Sequence, residues 1–244
     1  MVTYIETHCH THHSFDCNTA ISDVIASCER KSVKGIVVCD HDVCGITPEE
    51  ETMFVEHGIC LYKAIEFTTK TDAHIIGVSS RIKELQQPRF HYGVEELIDR
   101  LQEIGACIII PHPYHKTGII GNGEISQTAI DKAFYAAQFV EKENYRYGKI
   151  QDDLKEKYPN LHYLIGSDAH SSKDVGAFIN QVNEIQNDFL STMLSGDISF
   201  LKNAEHGCLY QMMKSVKRSA IYQRLLHLFP ERWRRIIKNK LINR

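Results

Sequence analysis

The chain has 244 residues, 43% of them hydrophobic and 24% charged, with a formal net charge of -3. That is the composition of a folded globular protein, long enough to bury a full core, and not of a disordered or fibrous one. No apolar run reaches the roughly eighteen residues of a membrane-spanning helix, and no basic-then-apolar leader opens the sequence, so a cytoplasmic protein is expected.

Cysteine usage agrees with that compartment. The eight cysteines are scattered and include no C-x-x-C pair; they are expected as thiols, and a structural zinc ribbon is not. Cys39 and Cys107 lie inside apolar runs and read as small core residues.

The first predicted strand runs into YIETHCHTHHSFDC (4–17), which holds four histidines, a glutamate and an aspartate in fourteen residues. Ile21, Val24, Ile25 and Cys28 then recur at helical spacing. GIVVCD (35–40) is a continuous apolar run rich in β-branched residues, as buried parallel strands are. LYKAIEF (61–67) reads as a strand with HIIGV (74–78) as its hairpin partner. Val94, Leu97, Ile98, Leu101 and Ile104 mark another helix, followed by strands at CIIIPHP (107–113), FVEKEN (139–144) and HYLIGSD (162–168), with a helix expected after the last. Gly35, Gly58 and Gly105 fall where a helix is expected to stop before the next strand. This order, β-α-β-α-β-β-α-β-α-β-α-β-α, predicts an α/β fold with a largely parallel sheet. The pattern alone leaves open whether the sheet closes. It divides the chain into one domain over 1–205 and a basic helical tail over 206–244.

Reactive side chains close almost every predicted strand. His8 and His10 end the first; Asp40, His41 and Asp42 the second; Glu66 the third; His112 follows CIIIP; Glu141, Glu143 and Asn144 end FVEKEN; Asp168 and His170 follow HYLIGS. In a parallel α/β sheet or barrel those ends converge on one face, where active sites form. Histidines and carboxylates together point to divalent zinc, manganese or iron. His8 and His10, two apart on a strand, face the same side and can share one ion. Asp40 and Asp42 flank His41, so they are candidates for orienting its ring or for moving a proton to a leaving group. Three or four protein ligands serve a catalytic zinc. About nine candidates are available here, which fits two or three ions sharing a carboxylate.

In their order, HCHTHHSFD, CDHD, IEF, HP and GSDAH resemble the motif set of the PHP (polymerase and histidinol phosphatase) superfamily, from residue 8 to about 176. Cys39 stands where the family usually has threonine. The resemblance implies a distorted (β/α)7 barrel with a bi- or trinuclear metal centre and hydrolysis of a phosphoester by metal-activated water. It implies one ion on His8, His10, Glu66 and Asp168, a second on Glu66, His74 and His112, and a third on Asp16, His41 and His170. His12 and His13 fall at variable positions of the motif and read as facing solvent or substrate rather than as metal ligands. His115, Lys116, Arg146 and Lys173 follow motif-bearing segments and are candidates for binding substrate phosphate.

A small phosphomonoester is the expected substrate. The other readings are a nuclease acting on single-stranded nucleic acid, a non-catalytic metal-binding module, and amide hydrolysis, which also uses H-x-H on a barrel strand. From Lys214 to Arg244 the chain carries ten basic residues and one acid, leaving 18 basic and 30 acidic residues elsewhere. An acidic body repels a long polyanion, which disfavours the nuclease. The tail itself, with Ile221, Leu225, Phe229 and Trp233 among its charges, suits docking on the body, an anionic membrane surface or nucleic acid. Nothing in the sequence fixes an oligomeric state.

Overall fold

The computed structural model describes residues 2–149 and 154–203; the expected tail at 206–244 lies outside them. No helix among the described residues is long and apolar enough to cross a membrane.

Strand β1 (Thr3–Cys9) leads through the histidine-rich turn to α1 (Ile21–Arg30), and β2 (Val33–Val38) to α2 (Pro48–Glu56). Thr47 and Glu50 form a reciprocal capping box at the start of α2, with proline in its first turn, which satisfies donors that a helix N-terminus otherwise leaves orphaned. β3 (Cys60–Thr68) turns back into β4 (His74–Val78), and α3 (Val94–Glu103) precedes β5 (Cys107–Ile110). Then come α4 (Gln127–Ala136), β6 (Phe139–Asn144), β7 (Gly148–Lys149), α5 (Leu154–Lys157) and β8 (His162–Gly166). Gly58 and Gly105 follow α2 and α3 at φ of 63° and 65°, a left-handed turn that stops a helix at little steric cost for glycine. Gly35 is different from the expectation: it lies inside β2, where an added Cβ would stand 2.6 Å from Cδ1 of Ile5.

The expected helix after β8 is also replaced. The chain instead forms β9 (Phe178–Val182), a short α6 (Phe189–Met193) and β10 (Ser199–Lys202). β9 runs antiparallel to β1, against which Asn180 sits in register with Ile5.

Seven strands make a curled sheet in the order β1-β2-β3-β4-β5-β6-β8, a distorted (β/α)7 barrel. All neighbours are parallel except that β4 opposes both β3 and β5. The ring closes beyond the end of β8, where Ala169 pairs with Cys9; His10 N donates to Ala169 O at 2.9 Å and Ala169 N to His8 O at 3.1 Å. At the opposite end β9 replaces that pairing. Its buried Asn180 acts as a substitute rung, accepting from Ile165 N at 2.9 Å and donating to Ile165 O at 2.7 Å and to Thr7 Oγ1 at 3.1 Å.

Strand alternation sorts the core into layers. Val37, Tyr62, Ala64, Ile76, Val78, Cys107, Ile109, Phe139 and Leu164 fill the inside, with Phe189 and Met193 of α6 packed among them. The alternate residues Ile65, Ile75, Ile108, Ile110 and Val140 face outward against α3 and α4, while Ile36 and Val38 pack with residues of α1 and α2. The same alternation continues inward to Glu66, His74 and Glu141, so the interior changes from apolar to ionisable along its length.

Removing the substitute rung tests this closure. Asn180→Ala strands buried donors and acceptors on β8 and is expected to cost about 2–4 kcal/mol in denaturant unfolding.

Candidate metal centre

The centre is built around Glu66. Pairing of β2 with β3 extends beyond the named strands through His41 and Glu66, with Asp42 N donating to Glu66 O at 3.1 Å. This places the His41 ring beside the Glu66 carboxylate. Oε2 of Glu66 lies 3.2 Å from His8 Nε2, 3.1 Å from His10 Nε2 and 3.6 Å from His41 Nδ1. Oε1 faces a second group, at 3.1 Å from His74 Nδ1 and 3.2 Å from His112 Nε2. One carboxylate thus divides two sets of imidazoles.

His74 reaches this rim because β4 runs backwards. In its antiparallel register with β3, its first residue pairs with Thr68, so a strand start meets the ends of its parallel neighbours. His112 and Asp168 arrive by another device, non-glycine backbone at φ of 26° and 50°. Such strained conformations cluster at functional sites.

Asp168 Oδ1 stands 3.8 Å from His8 Nε2 and 3.6 Å from His10 Nε2, completing the first set. A third set lies further out. Asp16 Oδ2 is 3.0 Å from His170 Nε2 and 3.6 Å from His41 Nε2, and the ligand atoms of His10, Asp16, His41 and His170 all lie within 4.8 Å of one another.

Electrostatics follow from this crowding. Burial alone would raise Glu66, but His8, His41 and His74 outweigh it and hold the carboxyl well below its usual range. Asp168 is depressed similarly, burial being outweighed by His8, His170 and Arg146. Burial and the facing His170 push His10 down to about 3. Burial also works against a charged His170, yet Asp16 and Asp168 lift it to about 9.

The arrangement suits divalent cations. His8 Nε2 and His10 Nε2 are 3.2 Å apart, so the electron pairs of two neutral rings point at one spot, unfavourable unless a proton or cation lies between them. Among the described residues, buried His10 Nδ1, His41 Nδ1, His112 Nδ1 and both ring nitrogens of His74 have no hydrogen-bond partner. His74 Nδ1 is among them, because its approach to Glu66 is off the line of a hydrogen bond.

Supporting contacts fix the rings. Glu141 Oε1 lies 2.7 Å from His8 Nδ1, while Oε2 accepts from His112 N and Asn144 Nδ2, both at 2.8 Å. A carboxylate behind an imidazole selects the tautomer whose other nitrogen faces the metal. Glu141 was legible only as a strand-end acid, and its pairing with His8 depends on a non-local approach. Gly166 makes room for it: a Cβ there would fall 1.8 Å from Glu141 Oε1. Glu6, fully buried on β1 and missed by motif reasoning, accepts from His8 N at 3.1 Å and Gly176 N at 2.7 Å, and burial pushes its carboxyl up.

The remaining candidates separate. Arg146 reaches the centre, with Nη1 2.8 Å from His170 Nδ1 and 3.8 Å from Asp168 Oδ1. The His115 ring stacks on Tyr147 at 3.8 Å, and Tyr147 stands edge-on to His112 at 4.9 Å. Lys116 and Lys173 are exposed, and among the described residues neither side chain makes a hydrogen bond or ion pair with the centre. Asp40 turns away from the His41 ring: Oδ1 accepts from Thr11 N at 2.6 Å and Oδ2 from Thr11 Oγ1 at 2.8 Å. Asp42 Oδ1 accepts from Thr68 N at 2.7 Å. Both carboxyls are pushed up by burial. Asp40 thus ties its loop to the turn after β1, and Asp42 ties the same loop to the end of β3.

Solved structures share this architecture. A two-domain Bacteroides vulgatus protein containing a predicted PHP-like metal-dependent phosphoesterase superposes with a TM-score of 0.64 at 15% identity, covering 83% of this chain and 65% of that one. The fold is PHP-like. PsfC from Pseudomonas syringae matches with a TM-score of 0.62 at 16% identity, over 90% of this chain and 99% of its own. The lesion-specific endonuclease PfuEndoQ from Pyrococcus furiosus matches at 0.64 and 17%, over 82% of this chain and 58% of its own. The chain therefore spans about two-thirds or less of the first and third of these proteins. No family model and no curated protein matches the sequence. The fold is shared at sequence identities of 15–17%.

Metal binding to such a cluster would carry a pH signature. Ligand histidines bind as neutral rings, His10 is neutral above about 3 and His170 only above about 9. Zinc or manganese uptake near neutral pH is expected to release protons, and affinity to rise with pH until His170 has titrated. Calorimetric titration in buffers of different ionisation heat checks both; a pH-independent affinity without proton release contradicts them.

Proposed function

We propose that the chain is a metal-dependent phosphoesterase, and that its substrate is a small phosphomonoester. The observation that carries this reading is the division of Glu66 between two imidazole sets, one oxygen to each. A carboxylate so placed would be able to serve two ions at once. His8, His10, Glu66 and Asp168 would hold one, Glu66, His74 and His112 a second, and Asp16, His41 and His170 a third. Zinc, manganese or iron suits these nitrogen and oxygen donors.

When bound, such ions lower the pKa of water from 15.7 to about 7 and neutralise phosphoryl oxygens. The chain's own residues do the rest. Glu141 keeps the His8 proton on Nδ1 and leaves Nε2 facing inward. Arg146, beside His170 and Asp168, presents its guanidinium to a phosphoryl oxygen, a pairing suited to charge that redistributes in the transition state. His115, held against Tyr147 and hydrogen-bonded through Nδ1 to Thr117 Oγ1 at 3.0 Å, faces the leaving group. Asp40 and Asp42, committed to Thr11 and Thr68, position the loops that carry His10 and His41. The supply of carboxylates and imidazoles needs no covalent enzyme intermediate.

A nuclease acting on single-stranded nucleic acid is the second reading. The likeness to an endonuclease fold brings it forward, and the net acidity of residues 1–213 weighs against it.

Phosphate release from histidinol phosphate, nucleotides, a phosphotyrosyl peptide and a short oligonucleotide tests the proposal. With manganese or zinc present, release from at least one phosphomonoester is expected, abolished in His10→Ala. Glu141→Gln should retain the fold and weaken metal binding about 10–100-fold. Cleavage confined to the oligonucleotide would favour the nuclease. No release from metal-loaded protein would overturn the proposal.

A further inference from the structure

A second group of ligand-type side chains lies outside the centre. His12 and His13 follow one another in the turn after β1, and Glu50 lies in the first turn of α2. His13 Nε2 is 2.8 Å from Glu50 Oε2, His12 Nε2 is 3.6 Å from Oε1, and the two rings pack at 4.0 Å between centroids. The ligand atoms of all three lie within 4.8 Å of one another. Among the described residues, no hydrogen bond or ring contact joins them to the Glu66 cluster.

Consecutive residues usually send their side chains apart, so two adjacent histidines aimed at one carboxylate require a reason. Here the turn supplies it: His12 N donates to Thr19 O at 2.9 Å and Ser14 N to Thr11 O at 3.0 Å. Gly45 leaves space for the His13 ring, since a Cβ there would stand 2.5 Å from His13 Cγ. Glu50 is fixed independently, with Oε2 accepting from Thr47 N at 2.9 Å in the capping box. Oε1 is not used that way. Its 3.6 Å separation from His12 Nε2 is too long for a hydrogen bond. All three groups are thus held in place by contacts that need no ion.

We propose that His12, His13 and Glu50 form a separate rim site for one borderline divalent ion, with zinc the best match. Two imidazoles and one glutamate are a known zinc donor set with a coordination position left over for water. His12 is 43% exposed on its side chain, so the ion exchanges with solvent directly. Binding here ties the turn to α2. That turn also carries His10 and Asp16, with Thr11 anchored on Asp40 between the two sites, so occupancy of the rim stiffens the support of the buried centre.

Zinc bound per chain, measured by elemental analysis after equilibrium dialysis of the full chain stripped with chelator, tests the site. His12→Ala removes one ligand at an exposed position; Glu50→Gln keeps the capping box, which accepts glutamine. Both variants are expected to melt as the parent does in chelator. At saturating zinc, each should bind one equivalent less than the parent. His10→Ala, which damages the buried centre, should keep the rim equivalent, and adding His12→Ala to it should remove that equivalent. Equal stoichiometry in parent and both rim variants would overturn the proposal. Loss of all zinc from His12→Ala would also do so, because the three residues would then not be a separate site.

Discussion

A single buried carboxylate organises this protein. Glu66 is 1% exposed, and taking an isolated carboxylate out of water carries a penalty of several kcal/mol. The fold offsets that penalty by bringing His8, His10, His41, His74 and His112 to its two oxygens from four different segments of chain. Each of those segments in turn needs backbone placed by pairing between distant strands. The reversed β4 delivers His74, the Ala169–Cys9 bridge fixes the spacing of His8 and His10, and the extended β2–β3 pairing seats His41. Five imidazoles crowded around one buried carboxylate are a poor way to build a stable core and a good way to hold cations.

The apolar and ionisable halves of the barrel interior depend on one another. Tyr62, Ala64 and Glu66 are successive inward residues of β3, and Val78, Ile76 and His74 are successive inward residues of β4. The packed lower layer, stoppered by Phe189 and Met193, makes the upper layer rigid. Glu141 and Gly166 link the layers through a contact that tolerates no side chain on the glycine. Precision at the metal centre is therefore a property of strand register, and a one-residue slip anywhere in the ring would turn ligands outward.

Much of this was legible in the sequence because strands end where chemistry begins. Continuous β-branched runs located β2, β5 and β8, other strand patterns ending in histidine or acid located β1, β3 and β6, and strand alternation put His8 and His10 on one face. The PHP resemblance named His74, whose position at the start of a reversed strand no periodicity indicates. Other features resisted reading for physical reasons. β9 replaces an expected helix because its partner β1 lies about 175 residues away in the chain, and non-local pairing leaves little local signal. Asp40 and Asp42 flank His41 in sequence, and the donors to them, Thr11 and Thr68, come from the turn after β1 and the end of β3. Glu6 and Glu141 bind backbone and ring atoms across the barrel, invisible to motif spacing. Lys116 and Lys173 adjoin motif segments in sequence while their side chains are exposed.

The central claim is that Glu66 joins two ions. Anomalous diffraction from crystals of manganese- or zinc-loaded protein tests it most directly. The account predicts metal peaks on both sides of the Glu66 carboxylate, about 3.5–4 Å apart as in other two-metal sites, with His8 and His10 on one and His74 and His112 on the other. A single peak, or peaks that leave either Glu66 oxygen without metal, would contradict it.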